Sequence, residues 1–299
     1  MNNSNPLPFT VNGTLPEIDS PTLVVMLSGW IDASGAALGA MDHFLSATDA
    51  KSFLEFDADT FIDYRARRPI MELREGVNTR IVWTVPEMKI GTDAAGKEVL
   101  FLAGPEPDTA WKHFADTVAA LAVQLGVEKM IAMGAYPYGA PHTRPVGISA
   151  TTPTVEVAER LAFARNTLDA PAGVSAILEH ALTKVGIESM TFWAQIPHYC
   201  ATMAYPAASA RLVDAVSLEG GLTVDSAQLR RDAAVQRERL DQLVSNNPEH
   251  GEMLAKLEEV YDQTHGGARP TTDEPVEIPS VDELAAEVEQ FLRDQQSGG

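Results

Sequence analysis

The strongest constraint on the fold comes from short apolar runs, each of strand length and each followed by a segment with helical periodicity. Leu23-Val24-Val25-Met26-Leu27 and Lys129-Met130-Ile131-Ala132-Met133 lack the polar alternation of a half-exposed strand. Such runs fill parallel strands covered on both faces. A further strand is expected over Met190-Thr191-Phe192-Trp193-Ala194-Gln195-Ile196.

The segments between these runs supply the covering layers. After the first run, Ala37, Leu38, Met41, Phe44 and Leu45 recur at helical spacing, with Asp32 placed to cap the helix. Gly35 and Gly39, four apart, are expected to bring that helix close to the strand. Ser52-Phe53-Leu54-Glu55-Phe56 then completes a β-α-β unit of right-handed crossover type, the first ordered unit of the chain. Residues 81–90 and 98–103 flank Gly91-Thr92-Asp93-Ala94-Ala95-Gly96 and read as a hairpin adding antiparallel strands. Trp111, Phe114, Ala115, Val118, Leu121, Ala122 and Leu125 mark a helix capped by Asp108 and ended by Gly126. Thr152-Pro153 is expected to open a helix reaching about Arg165, and Ile177 to Val185 form another closed by Gly186. A helix starting at Pro206 follows the late strand.

This order predicts an α/β fold, a three-layer αβα sandwich around a mixed, mostly parallel sheet. Residues 1–222 are assigned to that core domain, and residues 223–299 to a C-terminal extension. Within the extension, two charged amphipathic helices joined at residues 245–248 form a helical hairpin. Residues 263–279 read as an acidic linker, and Ser280 with Glu283 makes a capping box for a last short helix.

Charge narrows the function. With 42 acidic against 22 basic residues the net charge is −20, and no basic stripe offsets it, so nucleic acid is excluded as a partner. No apolar run reaches bilayer length and residues 1–19 carry no signal-peptide pattern, so a cytoplasmic chain without membrane contact is expected. The single Cys200 fits a reducing compartment and reads as a small buried hydrophobe.

Three expected strands end in comparable loops: Gly29-Trp30-Ile31-Asp32, the proline-fixed segment from Tyr136 to Pro145, and His198-Tyr199. Parallel strands place such carboxyl ends along one sheet edge, where crevices form. Prolines and glycines are expected to hold the middle loop irregular from Gly134 onward. His142, His198 and Asp32 are the candidate catalytic groups of a shared crevice, the two histidines as acid-base groups and Asp32 to orient a histidine. Gly29, Trp30, Tyr136, Thr143, Arg144 and Tyr199 are the candidate ligand- or partner-binding residues, with Arg144 able to grip an anion bidentately. The alternative is that these residues cap strand ends at a subunit interface. No dinucleotide, P-loop or nucleophile-elbow motif is present, and His142, His198 and Cys200 lack metal-ligand spacing, so no cofactor and no metal are expected. Arg65, Arg67 and Arg68 form the one concentrated basic group, expected to pair with the chain's own carboxylates.

Gly29-Trp30-Ile31-Asp32-Ala33-Ser34-Gly35-Ala36-Ala37, Pro141-His142-Thr143-Arg144-Pro145 and Pro197-His198-Tyr199 resemble, in order and spacing, the PAC2 family, named for proteasome assembly chaperone 2 and abundant in actinobacteria. The likeness spans residues 21–221. It implies a fold similar to the nucleoside phosphorylase and hydrolase class, frequent oligomerisation, and a chaperone or scaffold role in eukaryotic and archaeal members. It supplies no catalytic residues. Proteasome-engaging members often end in a hydrophobic-Tyr-any tail, whereas Gln295-Gln296-Ser297-Gly298-Gly299 departs from that pattern. The expectation is a non-catalytic, protein-binding scaffold that forms homo-oligomers. The alternative is a phosphorylase- or hydrolase-type enzyme acting on a nucleoside-like or other small ligand at the strand-end crevice.

Overall fold

The computed structural model describes residues 7–161, 163 and 167–265. In chain order these form β1 (Phe9–Val11), β2 (Thr22–Ser28), α1 (Ala36–Ala47), β3 (Lys51–Phe56), the one-turn α2 (Ala58–Phe61), β4 (Ile70–Arg74), β5 (Val77–Val82), β6 (Glu87–Thr92), β7 (Glu98–Pro105) and α3 (Trp111–Gln124). The second half adds β8 (Lys129–Tyr138), β9 (Ile148–Thr151), α4 (Val155–Arg160), α5 (Val174–Lys184), β10 (Glu188–Pro197), α6 (Pro206–Gly220), α7 (Ala227–Ser245) and α8 (Pro248–His265).

Eight strands make one mixed sheet in the order β1-β3-β6-β7-β2-β8-β10-β9. Its centre, β7-β2-β8-β10, is parallel, and antiparallel strands flank it on both sides. The apolar runs lie at this centre because only there are both faces covered. Val24, Met26, Ile131 and Met133 point into one buried cluster, while Leu23, Val25, Met130 and Ala132 point into the other, following the two-residue period of a strand. Helices α1 and α6 cover the first face, and α3 and α5 cover the second. Each buried leucine or phenylalanine contributes about 1.5–3 kcal/mol relative to exposure. Phe114 of α3 anchors its face, with ring centroids 4.7 Å from Phe56 and 5.2 Å from Phe61.

Several expectations are corrected. The first ordered element is β1, which adds to the sheet beside β3. Strands β2 and β3 are not neighbours, because the β6-β7 hairpin lies between them. Gly35 precedes α1 as its N-cap at φ 64°, and Gly39 brings α1 close to α6 rather than to a strand: an added Cβ would lie 2.9 Å from Ser209 Oγ. Residues 81–90 are not one strand. Pro86 interrupts the run, so Ile81 falls in β5, which pairs only with β4 in a separate two-stranded ribbon, and Ile90 falls in β6.

Strand β8 continues through Gly134 and Pro137 to Tyr138 instead of breaking at Gly134. Pro137 is tolerated because the β2 ladder ends at Ala132, leaving β10 as the strand paired along this stretch. The cap of α3 is Ala110, since Asp108 turns away to accept the Asp63 N–H at 3.0 Å and the Arg67 Nε–H at 2.8 Å. Thr152 likewise bonds the Ser189 carbonyl, leaving Thr154 to cap α4, which ends at Arg160, and β9 precedes it. Residues 263–265, assigned to the linker, continue α8, whereas Arg165, the remainder of the linker and the Ser280–Glu283 capping box lie outside the described residues.

Candidate functional site

The parallel run of β2, β8 and β10 brings their three carboxyl-end loops together. Asp32 forms a bridge with Ala135 of β8, and the Ser34 N–H donates to the Ala201 carbonyl at 2.7 Å, tying the first loop to the third. The Asp32 carboxylate accepts the Ala37 N–H at 2.8 Å and the Leu38 N–H at 3.0 Å, filling the unpaired first turn of α1. Burial pushes its pKa above the ordinary carboxylate value, and these N–H bonds oppose the shift. Asp32 therefore holds a helix end and does not orient a histidine.

His142 is the buried centre of the middle loop, with its side chain 1% exposed. Its backbone N–H donates to the Tyr199 hydroxyl at 2.8 Å, and the same hydroxyl lies 2.8 Å from Nδ1. Nε2 lies 3.1 Å from Asp241 Oδ1 on α7. A neutral imidazole satisfies all three contacts in one tautomer: the Tyr199 O–H donates to Nδ1, and Nε2–H donates to Asp241. Burial pushes the Tyr199 phenol above its ordinary pKa, which keeps that proton in place. His198 stands beside this chain on the turn after β10, its ring centroid 5.2 Å from that of Tyr199.

The next two residues are gripped by α8. Arg144 binds Asp262 bidentately, Nε to Oδ1 at 2.8 Å and Nη2 to Oδ2 at 2.7 Å, and its Nη1 donates to Glu258 at 3.2 Å. The Thr143 hydroxyl donates to the same Glu258 carboxylate. The Tyr261 hydroxyl donates to the Pro145 carbonyl at 3.0 Å. Glu258, Tyr261 and Asp262 are three and four residues apart, so one helical face presents all of these contacts. The Arg144 guanidinium draws the Asp262 carboxyl below its ordinary pKa. The crevice expected from the sequence is thus covered by the C-terminal helical hairpin, whose α7 and α8 supply its lid.

Three expected site residues lie apart from this group. Gly29 and Trp30 face the opposite side of the loop: a Cβ on Gly29 would meet Arg67 and Glu106, and the Trp30 indole packs against Gly173. Tyr136 joins β8 to its neighbours, its hydroxyl 3.2 Å from Ser149 Oγ and 3.1 Å from Gln195 Nε2. Sequence reasoning missed Asp241, Glu258, Tyr261 and Asp262, the residues that close the site. The spacing of Glu258 and Asp262 on one helical face is a signal, yet nothing local connects it to Arg144.

Of the basic group, Arg67 pairs with Asp108 as anticipated. Among the described residues, no cluster of three or more His, Cys, Asp or Glu side chains is arranged to hold a metal ion, and no helix is long and apolar enough to cross a membrane.

A model of the PAC2 family matches residues 26–244, from within β2 to the end of α7. The chain belongs to the PAC2 family. The match runs beyond the span of residues 21–221 read from the three loops and takes in α7, whereas α8 lies outside it. Among solved structures, a Corynebacterium glutamicum protein of unknown function is similar at 28% identity and TM-score 0.79, covering 86% of this chain and 97% of its own. A Mycobacterium tuberculosis protein of unknown function matches at 31% identity and TM-score 0.77, over 86% of this chain and 90% of its own. A Mycobacterium tuberculosis proteasome-assembly chaperone homologue matches at 26% identity and TM-score 0.72, over 79% of this chain and 99% of its own. No curated protein matches the chain.

Proposed function

We propose that this PAC2 protein is a non-catalytic, assembly-chaperone-like scaffold whose working surface is the β4-β5 ribbon. The carrying observation is the ribbon's exposed apolar content. Ile70, Met71, Leu73 and Val77 are all at least half exposed, with Ile81 and Trp83 beside them. A two-stranded ribbon is marginally stable alone and presents unpaired edges, so this many exposed apolar side chains on one point to protein contact. The proteasome-assembly chaperone homologue among the similar structures supports a protein-binding role. The buried His142 supports it too, since both of its imidazole nitrogens already have protein partners.

The test is site-specific photo-crosslinking in native lysate, with the probe at Val77 and, as control, at Val235, which is exposed on α7. The reading expects one dominant protein adduct from Val77, either a second copy of this chain or a different protein, and none from Val235. Equal or absent labelling at the two positions would sink it. If the adduct is a second copy, Ile70→Glu with Val77→Glu should also convert the assembly to monomer in sedimentation.

A further inference from the structure

A cleft of about 490 Å³ lies between α6, α7 and the loop of residues 142–146, separate from the ribbon. Its volume suits a small ligand rather than a protein segment. Small side chains create the room: Ala207 and Ala210 on α6 face Ala233 and Ala234 on α7 across it. Four arginines line the same space, Arg144 from the loop, Arg211 from α6, and Arg230 and Arg237 from α7, against a single lining carboxylate, Asp214. The carboxylates paired with them, Asp214, Asp241, Glu258 and Asp262, match them in number, but two of the four fall to Arg144, so the distribution is uneven.

The ion pairs do not account for all four. Arg144 is held by Asp262 and Glu258, and Arg230 Nη2 lies 2.7 Å from Asp214 Oδ2. Arg237 lies 3.8 Å from Asp241, whose other oxygen receives His142. Arg211, half-buried, forms no ion pair with a carboxylate among the described residues. A guanidinium carries a fixed charge and a fork of donors shaped for carboxylate and phosphate oxygens. Helices α6 and α7 thus present guanidinium groups toward one space from two sides, an arrangement suited to an anion with several oxygens.

We infer that this cleft is a binding site for a compact multivalent oxyanion, bearing phosphate or carboxylate groups, that bridges Arg211 on α6 to Arg230 and Arg237 on α7. Binding there ties α7 to the core and so reinforces the lid over the strand-end loop. The site is independent of the ribbon, and its failure leaves the scaffold reading untouched.

The test is calorimetric titration of the full chain with inorganic pyrophosphate and, separately, with citrate, at roughly 150 mM salt so that diffuse attraction is screened. Wild type should bind at least one probe saturably, and the probe preferred distinguishes phosphate from carboxylate chemistry. Arg211→Gln breaks no ion pair of the lid and should weaken binding about tenfold or more, the scale of a lost charge-assisted hydrogen bond. Ala234→Glu, on the exposed face of α7, adds an opposing charge to the cleft wall and should weaken binding similarly if Arg211→Gln fails to fold. Lys112→Gln, exposed on α3 over the other face of the sheet, should bind as wild type does. Absence of saturable binding of either probe to wild type, or binding by Arg211→Gln or Ala234→Glu equal to wild type, overturns the assignment.

Discussion

Tyr199→Phe is the sharpest probe of the buried chain that joins the three strand-end loops. The substitution keeps the ring and removes one oxygen, which accepts the His142 backbone N–H at 2.8 Å and meets His142 Nδ1 at 2.8 Å. Both groups then lose their partner beside a side chain that is 1% exposed. A buried polar group left unsatisfied costs about 1–3 kcal/mol, so two of them, less the desolvation cost of the phenol, give a loss of about 2–4 kcal/mol. For a chain of this size that corresponds to a fall in Tm on the order of 5–10 °C. Asp241→Asn is the matched control. Asp241 is half exposed, and an asparagine oxygen still accepts Nε2–H, so its cost should stay below about 1 kcal/mol. Urea unfolding followed by circular dichroism, with equal m-values required, measures both variants. A Tyr199→Phe protein within about 0.5 kcal/mol of wild type, or an Asp241→Asn protein that is the less stable of the two, would refute the hydrogen-bond assignment.

Three further outcomes are expected. Glu179 of α5 is buried, accepts from Thr151 and Thr191, and burial raises its pKa from 4.5 to about 7. The native state therefore holds this proton more tightly than the unfolded chain, so the contribution is complete below about 4.5 and is lost as pH rises to about 7. That loss amounts to about 3 kcal/mol. Unfolding free energies of wild type and Glu179→Gln across that range should diverge by this slope and run parallel above it, and identical slopes would disprove the shift. Gly134→Ala should destabilise by about 1–3 kcal/mol, because its Cβ would lie 2.3 Å from the Trp193 ring, and Trp193→Leu should remove most of that penalty in the double variant. Arg144→Gln should speed amide exchange in α8 more than in α6 by mass spectrometry, since Arg144 binds Glu258 and Asp262 of α8; uniform exchange rates would contradict that role.

How far the sequence speaks depends on whether a signal is local. The runs over Leu23 and Met130 declare the centre of the sheet because burial on both faces leaves a composition that no exposed strand has. Helix α3 is equally plain from its period. Its cap is not, because Asp108 has two nearby uses and the tertiary one, with Asp63 N–H and Arg67, prevails. The β4-β5 ribbon escapes notice for the opposite reason: most of its residues are exposed on both faces, so no alternation marks it. At the strand-end edge, His142, Arg144 and Tyr199 stand out as polar side chains fixed by proline turns. Their partners do not. Asp241, Glu258 and Asp262 sit on amphipathic helices whose acidic residues look like an ordinary solvated face, and only the packing of the hairpin shows what they meet.

That packing changes what the loop means. The family match ends at residue 244, yet every ion pair of Arg144 reaches α8, beyond that limit. Helix α7 alone supplies Asp241 to His142 and Leu240 to the core cluster, so it is anchored by both apolar burial and a polar tie. Helix α8 holds the loop through Glu258, Tyr261 and Asp262, contacts that are polar and near the surface. Surface ion pairs are screened by salt, whereas apolar burial is not, so the two helices should respond differently to ionic strength. Raising salt should loosen α8 before α7. In that order of release, Arg144 is the first residue of the edge to lose its partners.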